Sequence, residues 1–204
     1  MVIYIDMICQ KDIYERGSIM IDYVVIGMVL HVPLTGYDIK KLIEMGTGNF
    51  VKASHGSLYP ALKKLADKDF LTMREQPQGD RMKKYYQATE LGKAAFLEWL
   101  TSPLDSNSFE ANLLARIYFF EELPENIRIQ QLQEYELNIQ QILRGYKKLE
   151  RQLSTSTADE VGYYEISTLY YGLQSAQGMI RWLKYIAEQK PLSKFIREGD
   201  EGES

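Results

Sequence analysis

Two segments decide the fold: Ser54-His-Gly-Ser-Leu-Tyr-Pro-Ala-Leu-Lys-Lys64 and Lys83-Lys-Tyr-Tyr-Gln-Ala-Thr-Glu-Leu-Gly92. The first opens on small hydroxyl residues, which cap helices by accepting from the orphan N–H groups of the first turn, and it closes on two lysines. Leu58, Ala61, Leu62 and Leu65 recur at helical spacing and predict its inner face. Ser54, His55, Ser57 and Tyr59 stand at the helix start, off that face. Pro60 falls in the early turns, where a missing N–H is best tolerated. Upstream of the second segment, Phe70–Glu75 reads as a strand, Lys83–Ala88 as its partner, and Gln76-Pro-Gln-Gly-Asp-Arg81 as the turn-rich tip between them. A slim helix end and a cationic hairpin are the parts needed to enter the major groove of a duplex and hold the backbone beside it.

Working outward, Ile21, Val24, Val25, Met28 and Val29 predict a first helix that His31-Val-Pro-Leu-Thr-Gly36 ends. Thr35, with Asp38 three residues on, predicts a capped second helix with Ile39, Leu42 and Ile43 inside and Gly46 and Gly48 at its end. Thr89 caps a fourth helix running to Leu100. Helix, helix, helix, hairpin, helix is a winged helix-turn-helix over 20–100. Residues 1–19 form an extension or an upstream-start artefact. Thr101–Ser108 has linker composition.

The remainder is helical. Phe109, Leu113, Ile117 and Phe120 predict a short helix. Leu132, Tyr135, Ile139, Ile142, Tyr146, Leu149 and Leu153 form a heptad seam, and Ile166, Leu169, Leu173, Ala176, Ile180, Leu183 and Ala187 form a second. Ser154–Thr157 and Gly162 mark the turn between them. Two unbroken seams exceed what one thin helical arm can bury, so 109–190 reads as a dimerisation and effector domain, with 191–204 a flexible acidic tail. Tyr164, Tyr171 and Trp182 belong to an aromatic cluster that either fills the dimer core or lines a site for a planar aromatic molecule.

Composition narrows the classes. Net charge is −4, but residues 20–100 hold 11 Lys/Arg against 9 Asp/Glu, whereas 101–204 hold 11 against 16. The cationic share therefore lies with the predicted winged domain. Cys9 is alone, and His31 and His55 lack carboxylates at ligand spacing, so no disulfide framework, metal site or cofactor is expected. The longest apolar run, Tyr23–Leu30, is too short to span a bilayer, and the first residues lack signal-peptide form. A cytoplasmic protein is expected. Phosphate-binding loops and nucleophile elbows are missing from the sequence, so no enzyme chemistry is read.

Gly36-Tyr-Asp-Ile, Gly56-Ser-Leu-Tyr-Pro-Ala-Leu and Lys84-Tyr-Tyr…Thr-Glu-Leu-Gly92 resemble, in order and spacing, the winged-helix pattern of the PadR family of bacterial transcriptional regulators. The half from Phe109 to Glu188 is similar to the helical C-terminal domain of its longer subfamily. The chain departs from the pattern in its 19-residue extension, in His55 where proline is common, and in Ala88 where a larger apolar residue is usual. The resemblance implies a mainly α fold with a small β wing and a homodimeric repressor that binds a palindromic double-stranded DNA operator, often released by a small molecule. The residues placed on DNA are Tyr37, Lys40, Ser54, His55, Ser57, Tyr59, Lys63, Lys64, Arg81, Lys83 and Lys84. The alternative is a winged-helix module that binds protein instead, which would show no salt-dependent duplex binding.

Overall fold

The computed structural model describes residues 20–79, 81–104, 109–155 and 162–195. The chain divides into two compact units, Met1–Leu123 and Pro124–Ser204. The N-terminal extension, the end of the linker, the centre of the turn between the long helices and the far tail lie outside the described residues.

In the first unit, α1 covers 20–28 and buries Ile21, Val24, Val25 and Ile26. Helix α2, Gly36–Gly46, starts at Thr35, whose Oγ1 accepts from Asp38 N at 3.2 Å. Helix α3, His55–Asp67, buries Leu58, Ala61, Leu62 and Leu65. Helix α4, Glu90–Thr101, is capped by Thr89, whose Oγ1 accepts from Gly92 N at 3.0 Å. These are the helices and caps that the sequence pattern predicts.

The strands are longer than the sequence pattern indicates. β2, Leu71–Gln78, and β3, Arg81–Ala88, pair antiparallel almost to the tip, from Leu71↔Ala88 out to Gln78↔Arg81. The expected six-residue tip shrinks because Gly79 takes the left-handed conformation, φ +60, that a tight hairpin turn needs. Pro77 is accommodated because β2 is an edge strand of the three-stranded sheet, in which β3 is central. β1 is only Leu34–Thr35, paired with Tyr86 and Tyr85. The sequence pattern reads it as a helix breaker; its strand character comes from a partner far along the chain.

The expected boundary at the linker also moves. Helix α5, Phe109–Tyr118, and a 3-10 turn, Phe120–Glu122, belong to the first unit, not to the long helices. Phe119 meets Phe96 of α4 edge-on at 5.2 Å. A Cβ at Gly27 of α1 would lie 2.6 Å from the Phe119 ring, so α1 approaches this segment as closely as a glycine allows. Buried Arg116 lies over Trp99 at 5.3 Å and donates to Ser102 Oγ at 3.1 Å and to the Pro103 carbonyl at 3.3 Å. It thereby holds the end of α4 to α5.

The second unit is a hairpin of α6, Glu125–Thr155, and α7, Tyr163–Ala187. Lys184 pairs with Glu136 at 3.3 Å, and the Tyr146 ring would meet a Cβ at Gly172 at 2.8 Å, which sets the antiparallel register. Leu132, Tyr135 and Ile139 of α6 and Leu169, Leu173, Ala176 and Leu183 of α7 are buried. Much of each predicted seam is thus covered within the chain. Ile142 and Leu149, by contrast, are 42% and 44% exposed, and Leu143 and Glu150 are the half-buried residues beside them. A straight α-helix drifts about 20° per heptad away from a 3.5-residue repeat, so the intrachain contact line moves off Ile142 and Leu149 and leaves them on the flank.

Candidate nucleic-acid interface

The start of α3 is built by a reciprocal cap. Ser54 Oγ accepts from Ser57 N at 3.2 Å, and Ser57 Oγ accepts from Ser54 N at 3.0 Å. Both hydroxyls expected at DNA therefore already hold the helix end, and their role is first to fix its direction. His55 stacks parallel on Tyr59, ring centroids 5.7 Å apart and 7° between planes, and both rings are exposed. Lys63 continues the exposed side of the helix.

Lys64 does not stand with them. Its ammonium pairs with Asp22 of α1, tying the last turns of α3 to the core of the unit. Lys40 pairs with Glu44 one turn further along α2, at 2.6 Å, while Tyr37 at the start of α2 is exposed. Tyr59 also lies over Gly36, where a Cβ would meet its ring at 3.1 Å. Burial, and then neighbouring Tyr59, pushes the Tyr86 phenol above its ordinary value, so Tyr86 stays neutral beside the helix.

The wing cations divide between two faces. Alternation along β3 puts Lys84 on the face of Tyr86 and buried Ala88, and puts Arg81 and Lys83 on the face of Tyr85. Lys84 sits opposite Glu75 at 3.9 Å, which offsets part of its charge. Arg74, opposite Tyr85, joins Arg81 and Lys83 on the other face. The sequence pattern does not single out Arg74, because its face follows only from the strand register.

On the helical unit, Tyr164 and Tyr171 are 83% and 75% exposed, and Trp182 is half-buried. Spacings of 7 and 11 residues put the three on one face of α7, away from its buried leucines. Ile166 and Ile180 are half-buried, as are Tyr146 and Leu153 on α6. Among the described residues no cluster of His, Cys, Asp and Glu could hold a metal ion, and no helix is long and apolar enough to cross a membrane.

Helices α1 to α4 and the three-stranded sheet make a winged-helix fold, the class to which many DNA-binding regulators belong. Residues 25–98 match the transcriptional regulator PadR-like family, and residues 111–189 match the virulence activator alpha C-terminal model. The chain is 29% identical over 177 residues to the negative transcriptional regulator PadR of Bacillus subtilis (strain 168), a match spanning 82% of this chain and 95% of that one. Among solved structures it is similar to Bacillus subtilis PadR in complex with operator DNA, with 25% identity, TM-score 0.41, and coverage of 83% and 96% of the two chains. It is also similar to the same protein in complex with p-coumaric acid, with 24% identity, TM-score 0.38, and coverage of 83% and 98%. Over its winged unit the chain is similar to the PadR-like family of transcriptional regulators, and along most of its length it is similar to one negative transcriptional regulator.

The Asp22–Lys64 pair makes stability depend on pH. Burial raises the Asp22 carboxyl above its ordinary 3.8, against the opposing pull of Lys64 and Lys68. The folded state then holds the proton more tightly than the unfolded chain. The stability this supplies is fully present below the ordinary carboxylate value and is lost as pH rises through the raised one. At pH 7 ionised Asp22 is therefore a net cost. Asp22→Asn should be at least as stable as the parent in urea at about pH 7, and its advantage should shrink toward about pH 4. An Asn variant weaker than the parent at both pH values would contradict this account.

Proposed function

We propose that the chain is a cytoplasmic repressor that binds a palindromic operator as a homodimer and leaves it when a small aromatic effector binds. The observation that carries the reading is the exposed start of α3. There a rigid cap presents the stacked His55–Tyr59 pair and Lys63 outward, beside a wing that carries Arg74, Arg81, Lys83 and Lys84. In this reading α3 meets base edges together with Tyr37, and the wing cations meet phosphates. Lys64 and Lys40 act from within the fold, through Asp22 and Glu44. Repression is supported by the name of the Bacillus subtilis relative, a negative regulator.

Two copies reading a palindrome place their half-sites about one helical turn apart or a multiple of it, roughly 34–36 Å at the closest. In operator titrations at several salt concentrations, Lys83→Ala should flatten the salt slope by about one unit if its ammonium neutralises one phosphate. Lys84→Ala should have the smaller effect, because Glu75 already opposes it. His55→Ala and Tyr59→Ala should lower the ratio of operator to random-DNA binding with the salt slope kept. Binding that ignores salt would end the DNA reading and favour a protein-binding module.

The surface proposed for a second copy is the Ile142–Leu149 flank, because those two residues of the predicted seam are exposed whereas Ile139 is 2% exposed within the hairpin. Ile142→Glu combined with Leu149→Glu should give a monomer by sedimentation with its helicity kept. Ile139→Glu should instead unfold the hairpin, at a cost of about 3–5 kcal/mol for an uncompensated buried charge. A dimer unchanged by the double substitution would move the interface elsewhere.

For the effector, Tyr164, Tyr171 and Trp182 are the proposed contacts. A ligand there would act by changing the separation of the two recognition helices, a coupling of order 1–3 kcal/mol in allosteric systems. Planar aromatic compounds should quench Trp182 and release operator over the same concentration range. Quenching without release would remove effector control from this face.

A further inference from the structure

Two glycines inside the helices have a visible reason. Gly27 makes room for the Phe119 ring and Gly172 for the Tyr146 ring, which would lie 2.6 and 2.8 Å from a Cβ. Gly145 has no such reason. It stands deep inside α6, and a Cβ there would meet nothing within 4 Å. Glycine in a helix interior is destabilising relative to alanine, so α6 is weakened at a point where no contact within the chain calls for it. Gly178 of α7 is equally open, but the residues one and two turns from it, Trp182 and Tyr171, are those assigned above to the effector.

Gly145 is also the centre of a stripe. Asn138, Ile142, Gly145, Leu149 and Gln152 follow one another at spacings of 4, 3, 4 and 3, which keeps them on one side of α6, and all five are exposed. The charged residues of the same stretch, Arg144, Lys147, Lys148, Glu150 and Arg151, all stand off the stripe. Most of them are cations, so two copies of α6 approaching by the cationic side would set like charges against one another, whereas along the stripe they meet without charge. The stripe also reads alike on either side of Gly145: an apolar residue, then an amide. A two-fold axis at Gly145 therefore makes it complementary to itself, as an isologous interface requires, with an apolar centre and polar ends. We propose that two copies of this chain meet by crossing their α6 helices at Gly145, with Ile142 and Leu149 of both copies packed around the crossing. Packed helix axes lie about 8–10 Å apart according to the side chains at the contact, and glycine at the crossing admits the near end of that range. The inference rests on the homodimer reading and gives that interface its point of closest approach.

Sedimentation equilibrium of the full chain without DNA tests this independently of operator binding. Because a Cβ at position 145 meets nothing within the chain, substitution there should keep the helicity of the hairpin, checked by circular dichroism. Gly145→Arg and Gly145→Phe should each weaken the dimer at least about tenfold, by forcing the helices apart. Gly145→Ala should weaken it less, although alanine is the better helix former. Leu137→Arg, which changes an exposed apolar residue of α6 off the stripe, should leave the dimer unchanged. In a Cys9→Ser background, Gly145→Cys should form an interchain disulfide on mild oxidation, since bridged Cα atoms lie about 4.4–6.8 Å apart. A monomeric parent would overturn the homodimer reading itself. With a dimeric parent, the crossing alone is overturned if Gly145→Arg stays equally dimeric, if Gly145→Ala dimerises more tightly, if Gly145→Cys does not cross-link, or if Leu137→Arg dissociates the dimer.

Discussion

The inner face of α3 is the constraint on which the winged unit depends. Leu58, Leu62 and Leu65 are almost completely buried. A helix pinned along that stripe has no freedom of rotation, so its periodicity dictates which residues look outward. The Ser54–Ser57 cap fixes where the helix begins, and the Lys64–Asp22 pair fixes its last turns against α1. Between these anchors His55, Tyr59 and Lys63 are the residues left to meet a partner. The apolar stripe supplies the energy, by burial of roughly 1.5–3 kcal/mol for each large side chain, and the polar anchors supply the direction.

What was legible in the sequence was what is local. Thr35, the serines at 54 and 57, and Thr89 announce their helices because a cap satisfies N–H groups only two or three residues away; Thr35 and Thr89 cap as predicted, and of the two serines Ser54 is the cap. The inner faces follow from a 3.6-residue period. What was not legible depends on distant partners. β1 exists because β3 offers an edge to Leu34 and Thr35. Helix α5 joins the winged unit because Gly27 lets α1 approach Phe119, a fact with no signature near Phe109. The division of the wing cations, and the place of Arg74 among them, follows from register, and a one-residue slip would exchange the faces.

The helical half shows a subtler limit. Spacings of 3 and 4 identify an apolar seam but do not say whether another helix of the same chain or a second copy covers it. Here α7 takes Leu132, Tyr135 and Ile139, and helical drift turns Ile142 and Leu149 aside. One heptad pattern thus serves two surfaces in succession. The apolar surplus visible in the sequence is reduced by the hairpin to a flank and to the tyrosines of α7.

The placement of charge bears on how a recognition surface of this kind discriminates. Of the cations expected to face a duplex, Lys64 is drawn into the fold by Asp22, Lys40 is matched by Glu44, and Lys84 is opposed by Glu75. Non-specific affinity for nucleic acid grows with each phosphate neutralised, whereas specificity grows with contacts to base edges. A surface that offsets several of its lysines and keeps a capped helix with two stacked rings at its tip holds back the first term while leaving the second in place. In the proposed complex, a chain of net charge −4 attracts DNA weakly at long range, so residence on a sequence depends on the fit of α3 in the groove. On that reading Asp22, from within the fold, and Glu44 and Glu75, at its surface, aid discrimination by offsetting lysines, although none of them lies at the tip of α3.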